Sequence, residues 1–121
     1  MAYGFVIDLE KCVGCHGCSV ACKGANGTPP GVTRSRVERG TEGAYPHAVR
    51  TIRPVLCMMC ENPPCVAVCP QEATTVREED GIVVIDKEKC IGCKSCMTVC
   101  PYGARYLVES EQGYFGADLN E

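Results

Sequence analysis

Twelve of the 121 residues are cysteine, and they fall into three groups of four. The quartets are Cys12, Cys15, Cys18 and Cys22; Cys57, Cys60, Cys65 and Cys69; and Cys90, Cys93, Cys96 and Cys100. The first and third read C-x2-C-x2-C-x3-C, and the second reads C-x2-C-x4-C-x3-C. Such runs bind cubane iron–sulfur clusters, and the fourth cysteine of a run ligates the other cluster of a pair. The spacing therefore predicts [4Fe-4S] clusters that share cysteines between quartets.

The second and third quartets predict two complete clusters. Pro70 and Pro101 directly follow the fourth cysteines of these quartets. Proline ends a helical turn and fixes the chain direction, which steers each fourth thiolate toward the neighbouring site. The two predicted ligand sets are Cys57, Cys60, Cys65 and Cys100, and Cys90, Cys93, Cys96 and Cys69.

The first quartet has no partner quartet within these 121 residues. Cys12, Cys15 and Cys18 form an ordinary three-ligand loop, but Lys23 rather than proline follows Cys22. Closure of the site by Cys22 itself would contradict the exchange of ligands between quartets. We therefore expect the three-ligand loop to take a fourth ligand from outside this chain, which makes a third cluster possible.

Two other uses of so many cysteines are disfavoured by the spacing. Four thiolates also bind Zn²⁺, but structural zinc sites usually combine paired C-x2-C knuckles rather than triple runs. A disulfide scaffold is disfavoured because the thiols are crowded onto single loops. His16 lies inside the first ligand loop and could bind a metal, but it is expected to be a solvated side chain or to tune the neighbouring site. His47 has no partner in the sequence and is expected at the surface, and Met58 and Met59 are expected to pack around a cluster.

An internal repeat positions the first and third quartets. Residues 6–15 recur as residues 84–93, an offset of 84 − 6 = 78 residues. Each copy predicts a short apolar strand, a polar turn, a ligand loop and a helical turn that leads to the fourth cysteine. Gly14 and Gly92 lie between the first two ligands, where the backbone must curl tightly around the site.

A hairpin is predicted between the second and third quartets. Residues 74–77 and 82–85 are rich in β-branched side chains, and Asp80-Gly81 between them is a strong turn signal. A connection this short indicates that both quartets belong to one two-cluster unit.

The remaining segments carry weaker signals. Residues 49–54 alternate as a strand does, and residues 105–108 predict a further strand. Residues 23–48 are punctuated by glycine and proline and predict a long surface loop, which would be either a docking surface for a partner or a plain linker.

Composition limits the classes of function. The chain has no Trp, two Phe, 13 Gly and 8 Pro, so bonds to a bound metal group are expected to supply part of the folding energy. A formal net charge of -3 without a basic block gives no electrostatic support for nucleic-acid binding. The sequence predicts no signal peptide and no membrane span, because no segment approaches ~20 apolar residues. We expect a soluble chain, or one peripheral to a membrane through partners.

The cysteine pattern resembles a known family. Residues 12–22, the run C-M-M-C-E-N-P-P-C over 57–65, Cys69-Pro70 and residues 90–104 resemble the electron-transfer β subunit of molybdopterin oxidoreductases. These are of the dimethyl-sulfoxide, polysulfide, thiosulfate, tetrathionate and arsenate reductase type, and the resemblance covers nearly the whole chain. It implies an α+β, loop-rich, bacterial-ferredoxin-like two-cluster fold with short hairpins and helices, preceded by half of a second ferredoxin-like unit.

The expected division of the chain follows the quartets. Residues 1–48 would hold the first quartet and the long loop, residues 49–108 the two-cluster unit, and residues 109–121 a polar tail. In the family the first quartet pairs with a fourth one, which would lie beyond Glu121. We therefore expect an N-terminal fragment or a shortened relative.

The resemblance implies a relay without substrate chemistry of its own. It would carry electrons between a molybdopterin-containing catalytic subunit and a membrane quinol subunit, on the cytoplasmic or periplasmic side of the membrane. Two alternatives stay open: a free-standing soluble ferredoxin that uses only the second and third quartets, and a zinc-binding interaction module.

Overall fold

The computed structural model describes residues 4–109 of the chain. Over these residues it is an α+β structure of short helices and two small antiparallel sheets of two strands each. The predicted polar tail lies outside the described residues from position 110 onward. Within residues 4–109, no helix combines the length and the apolar character needed to cross a bilayer. The elements are α1 (Gly17–Asn26), β1 (Arg36–Glu42), β2 (Val49–Val55), α2 (Pro64–Ala67), β3 (Thr74–Val76), β4 (Val83–Ile85) and α3 (Ser95–Val99).

The described residues divide into two compact units, one of residues 6–56 with 108–109 and one of residues 57–107 with 4–5. The first unit is built on the antiparallel pair β1–β2, whose register runs from Arg36 opposite Val55 to Glu42 opposite Val49. The strand predicted over residues 49–54 is confirmed as β2.

The prediction of a loop over the whole of residues 23–48 is wrong, because residues 36–42 form β1. This segment is rich in charged residues and has no clear alternation, so its strand character comes from its partner. Val37 is buried in β1, and Glu38 accepts a hydrogen bond of 2.6 Å from Arg53 on β2. Opposite charges across a strand pair stabilise the pairing.

The second unit contains the β3–β4 hairpin, which confirms the strand prediction around Asp80-Gly81. Thr74 lies opposite Ile85, and Val76 lies opposite Val83. Gly81 has a φ of 72°, and the Asp80 carboxylate accepts a hydrogen bond from the Ile82 amide at 3.2 Å. An aspartate that binds the backbone two residues ahead, followed by a glycine with positive φ, reverses the chain tightly.

Two predicted strands are not formed. Residues 6–9 and residues 105–108 have no ladder partner among the described residues. Their apolar pattern alone is insufficient, because a strand needs a neighbour for its backbone groups. The polar turn of the repeat is present in both copies: Asp8 accepts the Glu10 amide at 3.1 Å, and Asp86 accepts the Glu88 amide at 3.0 Å.

Candidate metal centre

The loop between the first two cysteines of each quartet has a left-handed residue immediately before the second cysteine. Gly14 and Gly92 both have a φ of 68°, which confirms the tight curl predicted there. Met59 occupies the same position in the second quartet with a φ of 45°. A non-glycine residue seldom adopts this conformation, so the sequence alone did not indicate that Met59 would.

The first ligand loop is held by the β1–β2 pair of its own unit. The Arg39 guanidinium donates a hydrogen bond to the Gly14 carbonyl. Gly14 is buried, and a Cβ placed on it would lie 3.1 Å from Ile52 Cγ2. The position therefore requires glycine for two reasons, its backbone angle and its close approach to Ile52.

The fourth cysteine of the first quartet differs from the other two. Cys22 lies inside α1, which continues to Asn26, whereas Cys69 and Cys100 follow the ends of α2 and α3. Asn26 Nδ2 donates to Cys22 Sγ at 3.5 Å. Lys23, in the place of the proline, donates to the carbonyls of the loop that follows the helix.

Four predicted ligands of one cluster line a single pocket in the second unit. The pocket is open to solvent. Two quartets contribute to it, because Cys100 of the third lies with three cysteines of the second. The lining residues are Cys57, Met58, Cys60, Pro63, Pro64, Cys65, Val83, Cys100, Pro101, Tyr102, Ala104 and Arg105.

Hydrogen-bond donors point at the sulfurs of this pocket. Arg105 Nη2 donates to Cys65 Sγ at 3.0 Å, and the Ala104 amide donates to Cys100 Sγ at 3.4 Å. Burial alone would raise the pKa of Cys100, but amide hydrogen bonds, chiefly from Ala104 and Tyr102, outweigh it and lower the pKa. A lowered pKa favours the thiolate, which is the form that binds metal.

The cysteines of the other predicted set also influence one another. Cys93 Sγ and Ser95 Oγ share a hydrogen bond of 3.4 Å, and this bond lowers the pKa of Cys93. The charge of Cys69 opposes that shift. Burial raises the pKa of Cys96, the charge of Arg105 opposes this, and the neighbouring Cys65, Cys90 and Cys93 raise the pKa further.

The two fourth cysteines of this unit are followed by equivalent turns. The sequences are C-P-Q-E-A-T from Cys69 and C-P-Y-G-A-R from Cys100. The fourth residues of these runs, Glu72 and Gly103, have φ values of 50° and 56°. A backbone hydrogen bond from Thr74 lowers the pKa of Cys69 more than any other group does. The backbone hydrogen bond from Ala104 has the same role for Cys100.

Thr74 and Arg105 are two site residues that the sequence predictions omitted. Thr74 and Arg105 occupy the same place in the two turns, and both reach ligand sulfurs. Alignment of the two C-P-x-x-A-x runs would have singled them out.

The pocket provides thiols and hydrogen-bond donors together. Four thiols line it, and an amide donor and a guanidinium donor are directed at two of them. Among residues 4–109, no group of three or more His, Cys, Asp or Glu side chains is placed to bind a single metal ion. Iron–sulfur clusters are held by four such thiolates and tuned by hydrogen bonds to sulfur.

Comparison with protein families agrees with this chemistry. The model of the 4Fe-4S dicluster domain matches residues 48–115, which is more than half of the chain. The chain belongs to the 4Fe-4S dicluster domain family. A second model, the 4Fe-4S binding domain, matches residues 9–28 around the first quartet. The predicted cofactor class, [4Fe-4S] clusters, is therefore confirmed.

Curated relatives of the chain include subunits of several reductases. The chain is 54% identical over 100 residues to a selenate reductase subunit of Mesobacillus selenatarsenatis, covering 83% of this chain and 34% of the relative. It is 48% identical over 103 residues to the arsenate respiratory reductase iron-sulfur subunit of a Shewanella species, covering 85% and 44%. It is 42% identical over 107 residues to the thiosulfate reductase electron transfer subunit of Salmonella typhi, covering 87% and 55%. The chain thus spans between 34% and 55% of the length of these relatives.

Proposed function

We propose that this chain is an electron-transfer subunit. It relays electrons through [4Fe-4S] clusters between a molybdopterin catalytic subunit and a membrane quinol or other redox partner. The dicluster family and the names of the relatives, which include an iron–sulfur subunit and an electron-transfer subunit of reductases, support this function. The observation that carries the proposal is the pocket in which Cys100 lies with three cysteines of the preceding quartet.

Two ligand sets follow from that pocket. One is Cys57, Cys60, Cys65 and Cys100, and the other is Cys90, Cys93, Cys96 and Cys69. The electrostatic effect of Cys69 on Cys93 supports the second set. The two-cluster unit covers residues 49–108, and the dicluster family model over 48–115 supports these bounds.

The first quartet takes a separate part in the proposal. Cys12, Cys15 and Cys18 bind a third cluster, with a fourth ligand from outside the present sequence, and Cys22 serves the cluster that pairs with it. The 4Fe-4S binding domain match over 9–28 supports a cluster at this loop.

The residues contribute binding, orientation and charge. A bound [4Fe-4S] cluster supplies one-electron redox chemistry. Each ligand loop curls at a left-handed residue, and the amides after Cys69 and Cys100 stabilise their thiolates. Bond making and breaking on a substrate is the task of the catalytic partner.

Double substitution tests the shared ligation. If Cys57 and Cys100 hold one cluster, Cys57→Ala and Cys100→Ala each remove or convert that same cluster, and the double variant loses no second one. Cys100→Ala combined with Cys90→Ala should damage both clusters of the unit, with loss of up to about eight irons. Iron and sulfide content and EPR spectra of anaerobically purified protein measure the difference.

The opposite pattern would overturn the assignment. If Cys90→Ala and Cys100→Ala affect one cluster while Cys57→Ala with Cys100→Ala affects two, each quartet closes on itself. Co-purification tests the partner: a stable complex with a molybdopterin subunit supports the relay, and a monomer that accepts electrons alone indicates a free-standing ferredoxin. Zinc without sulfide would refute the proposal as a whole.

A further inference from the structure

Arg105 is a cation directed at a cluster ligand. Its Nη2 donates to Cys65 Sγ at 3.0 Å, and Cys65 is buried at 8% exposure. Arg105 is half-buried and lines the four-cysteine pocket. Among residues 4–109, no carboxylate lies within ion-pair distance of Arg105. The guanidinium therefore faces thiols, and no carboxylate of the described residues lies beside it to neutralise its charge.

The equivalent position at the other site of the unit is neutral. Thr74 stands where Arg105 stands when the two turns C-P-Q-E-A-T and C-P-Y-G-A-R are aligned. Thr74 is buried at 3% exposure and interacts with Cys69, the fourth cysteine of its own turn. The turns match in their proline, in the left-handed residue and in their amide donors to sulfur. The turns differ in charge at two positions: Arg105 stands in place of neutral Thr74, and Gly103 stands in place of the exposed Glu72. The charge of Arg105 also acts on Cys96 of the other set, but its hydrogen bond to sulfur goes to Cys65.

We propose that Arg105 raises the reduction potential of the cluster bound by Cys57, Cys60, Cys65 and Cys100, and so makes the two sites unequal. This inference rests on the proposed function. One added electron makes the cluster and its thiolates more negative, and a cation at hydrogen-bond distance from a ligand sulfur stabilises the reduced form more than the oxidised form. Solvent ions screen the interaction between Arg105 and the cluster less at a partly buried site than they screen two exposed charges. Electrons shared by the two clusters would then reside preferentially on the Arg105 side.

Three substitutions at Arg105 separate charge from packing. Arg105→Thr copies the residue of the matched site, Arg105→Gln keeps much of the length and a donor without the charge, and Arg105→Lys keeps the charge. Arg77→Gln is the control, because Arg77 is an exposed arginine of the same unit that pairs with Asp80 on the hairpin. Each variant is purified anaerobically, its iron and sulfide are counted, and its clusters are titrated potentiometrically by EPR.

The expected result is a selective shift. At a fixed applied potential, Arg105→Thr and Arg105→Gln should lower the ratio of reduced to oxidised cluster about tenfold, which corresponds to about 59 mV for one electron. The affected signal should be the one that Cys57→Ala abolishes. Arg105→Lys should retain most of the potential, and Arg77→Gln should leave it unchanged.

Several results would overturn the proposal. A shift no larger than that of Arg77→Gln, or an equal shift in the lysine and the glutamine variants, would show that the charge does not set the potential. A shift confined to the signal that Cys90→Ala abolishes would assign Arg105 to the other cluster. If Arg105→Thr loses iron, Arg105→Gln and Arg105→Lys still decide the question. A wild-type protein without iron and sulfide would refute the proposed function itself, whereas intact clusters with unmoved potentials would refute only the role of Arg105.

Discussion

Adding one methyl group to either of the repeated ligand-loop glycines gives a direct measure of how tightly each loop is held. Gly14 and Gly92 have the same φ of 68° but different surroundings. A Cβ on Gly14 would lie 3.1 Å from Ile52 Cγ2 and 3.3 Å from Arg39 Nε, whereas the nearest atom to a Cβ on Gly92 is Leu107 Cδ1 at 3.9 Å. Gly92→Ala therefore changes backbone strain alone, and Gly14→Ala adds crowding.

The expected costs follow from these distances. An alanine in the left-handed region costs about 1–2 kcal/mol. Crowding in a packed site adds about 1–3 kcal/mol, so Gly14→Ala should cost about 2–5 kcal/mol in total. Gly24, in α1, has no atom within 4 Å of its Cβ position and has no positive φ. Gly24→Ala should instead stabilise the first unit by about 0.5–1 kcal/mol, because alanine favours helix.

Hydrogen exchange of the anaerobic holoprotein, measured by mass spectrometry, reports the loss of stability in each ligand loop. Since 1.4 kcal/mol is a factor of ten, exchange of amides 12–18 in Gly14→Ala should rise about 30-fold or more. Exchange of amides 90–96 in Gly92→Ala should rise about 5- to 30-fold. Equal increases in the two alanine variants would refute the claim that Ile52 and Arg39 crowd the first loop. Faster exchange in Gly24→Ala as well would show that the effects are not local.

Two further predictions concern the first unit. Lys23 Nζ donates to the Pro29 carbonyl at 2.7 Å and to the Val32 carbonyl at 2.8 Å, so Lys23→Met should destabilise the segment after α1 by about 1–3 kcal/mol. Hydrogen exchange of residues 27–33 measures this, and an unchanged rate would contradict it. Hydrogen bonds from Arg53, and then from Arg36, lower the pKa of Glu38 below its ordinary 4.5. The stability that Glu38 contributes is therefore present above pH 4.5 and is lost as the pH falls through the lowered value, which an NMR titration of its carboxyl carbon checks; a pKa at or above 4.5 would refute the interaction.

The sequence alone was sufficient where the determining interactions are local. Ligand spacing identified the cofactor class, because thiolates a few residues apart on one loop converge on one centre. Asp80-Gly81 identified the β3–β4 hairpin, since turn geometry depends on the turn residues themselves. Gly14 and Gly92 were correctly predicted at tight curls for the same reason.

Prediction from the sequence failed where the local structure depends on a partner that is distant in the sequence. The charged residues of β1 form a strand only because β2 lies beside them, and residues 105–108 remain without a ladder because no described strand lies beside them. Met59 has a glycine-like φ of 45°, and its Sδ accepts a hydrogen bond of 3.4 Å from the Val83 amide, 24 residues away. In none of these cases does the segment's own composition contain the deciding interaction.

The sequence by itself determined how many thiolates there are, their grouping into quartets and the kind of group they bind. It also predicted that Cys100 joins the preceding quartet, with whose cysteines it lines one pocket. The tertiary structure decided that Cys22 lies inside a helix and that Arg105 reaches Cys65 across 40 residues of sequence. The physical reason is range. Cysteine spacing and turn chemistry act within a few residues, whereas hydrogen bonds and charges near sulfur depend on which segments folding brings together.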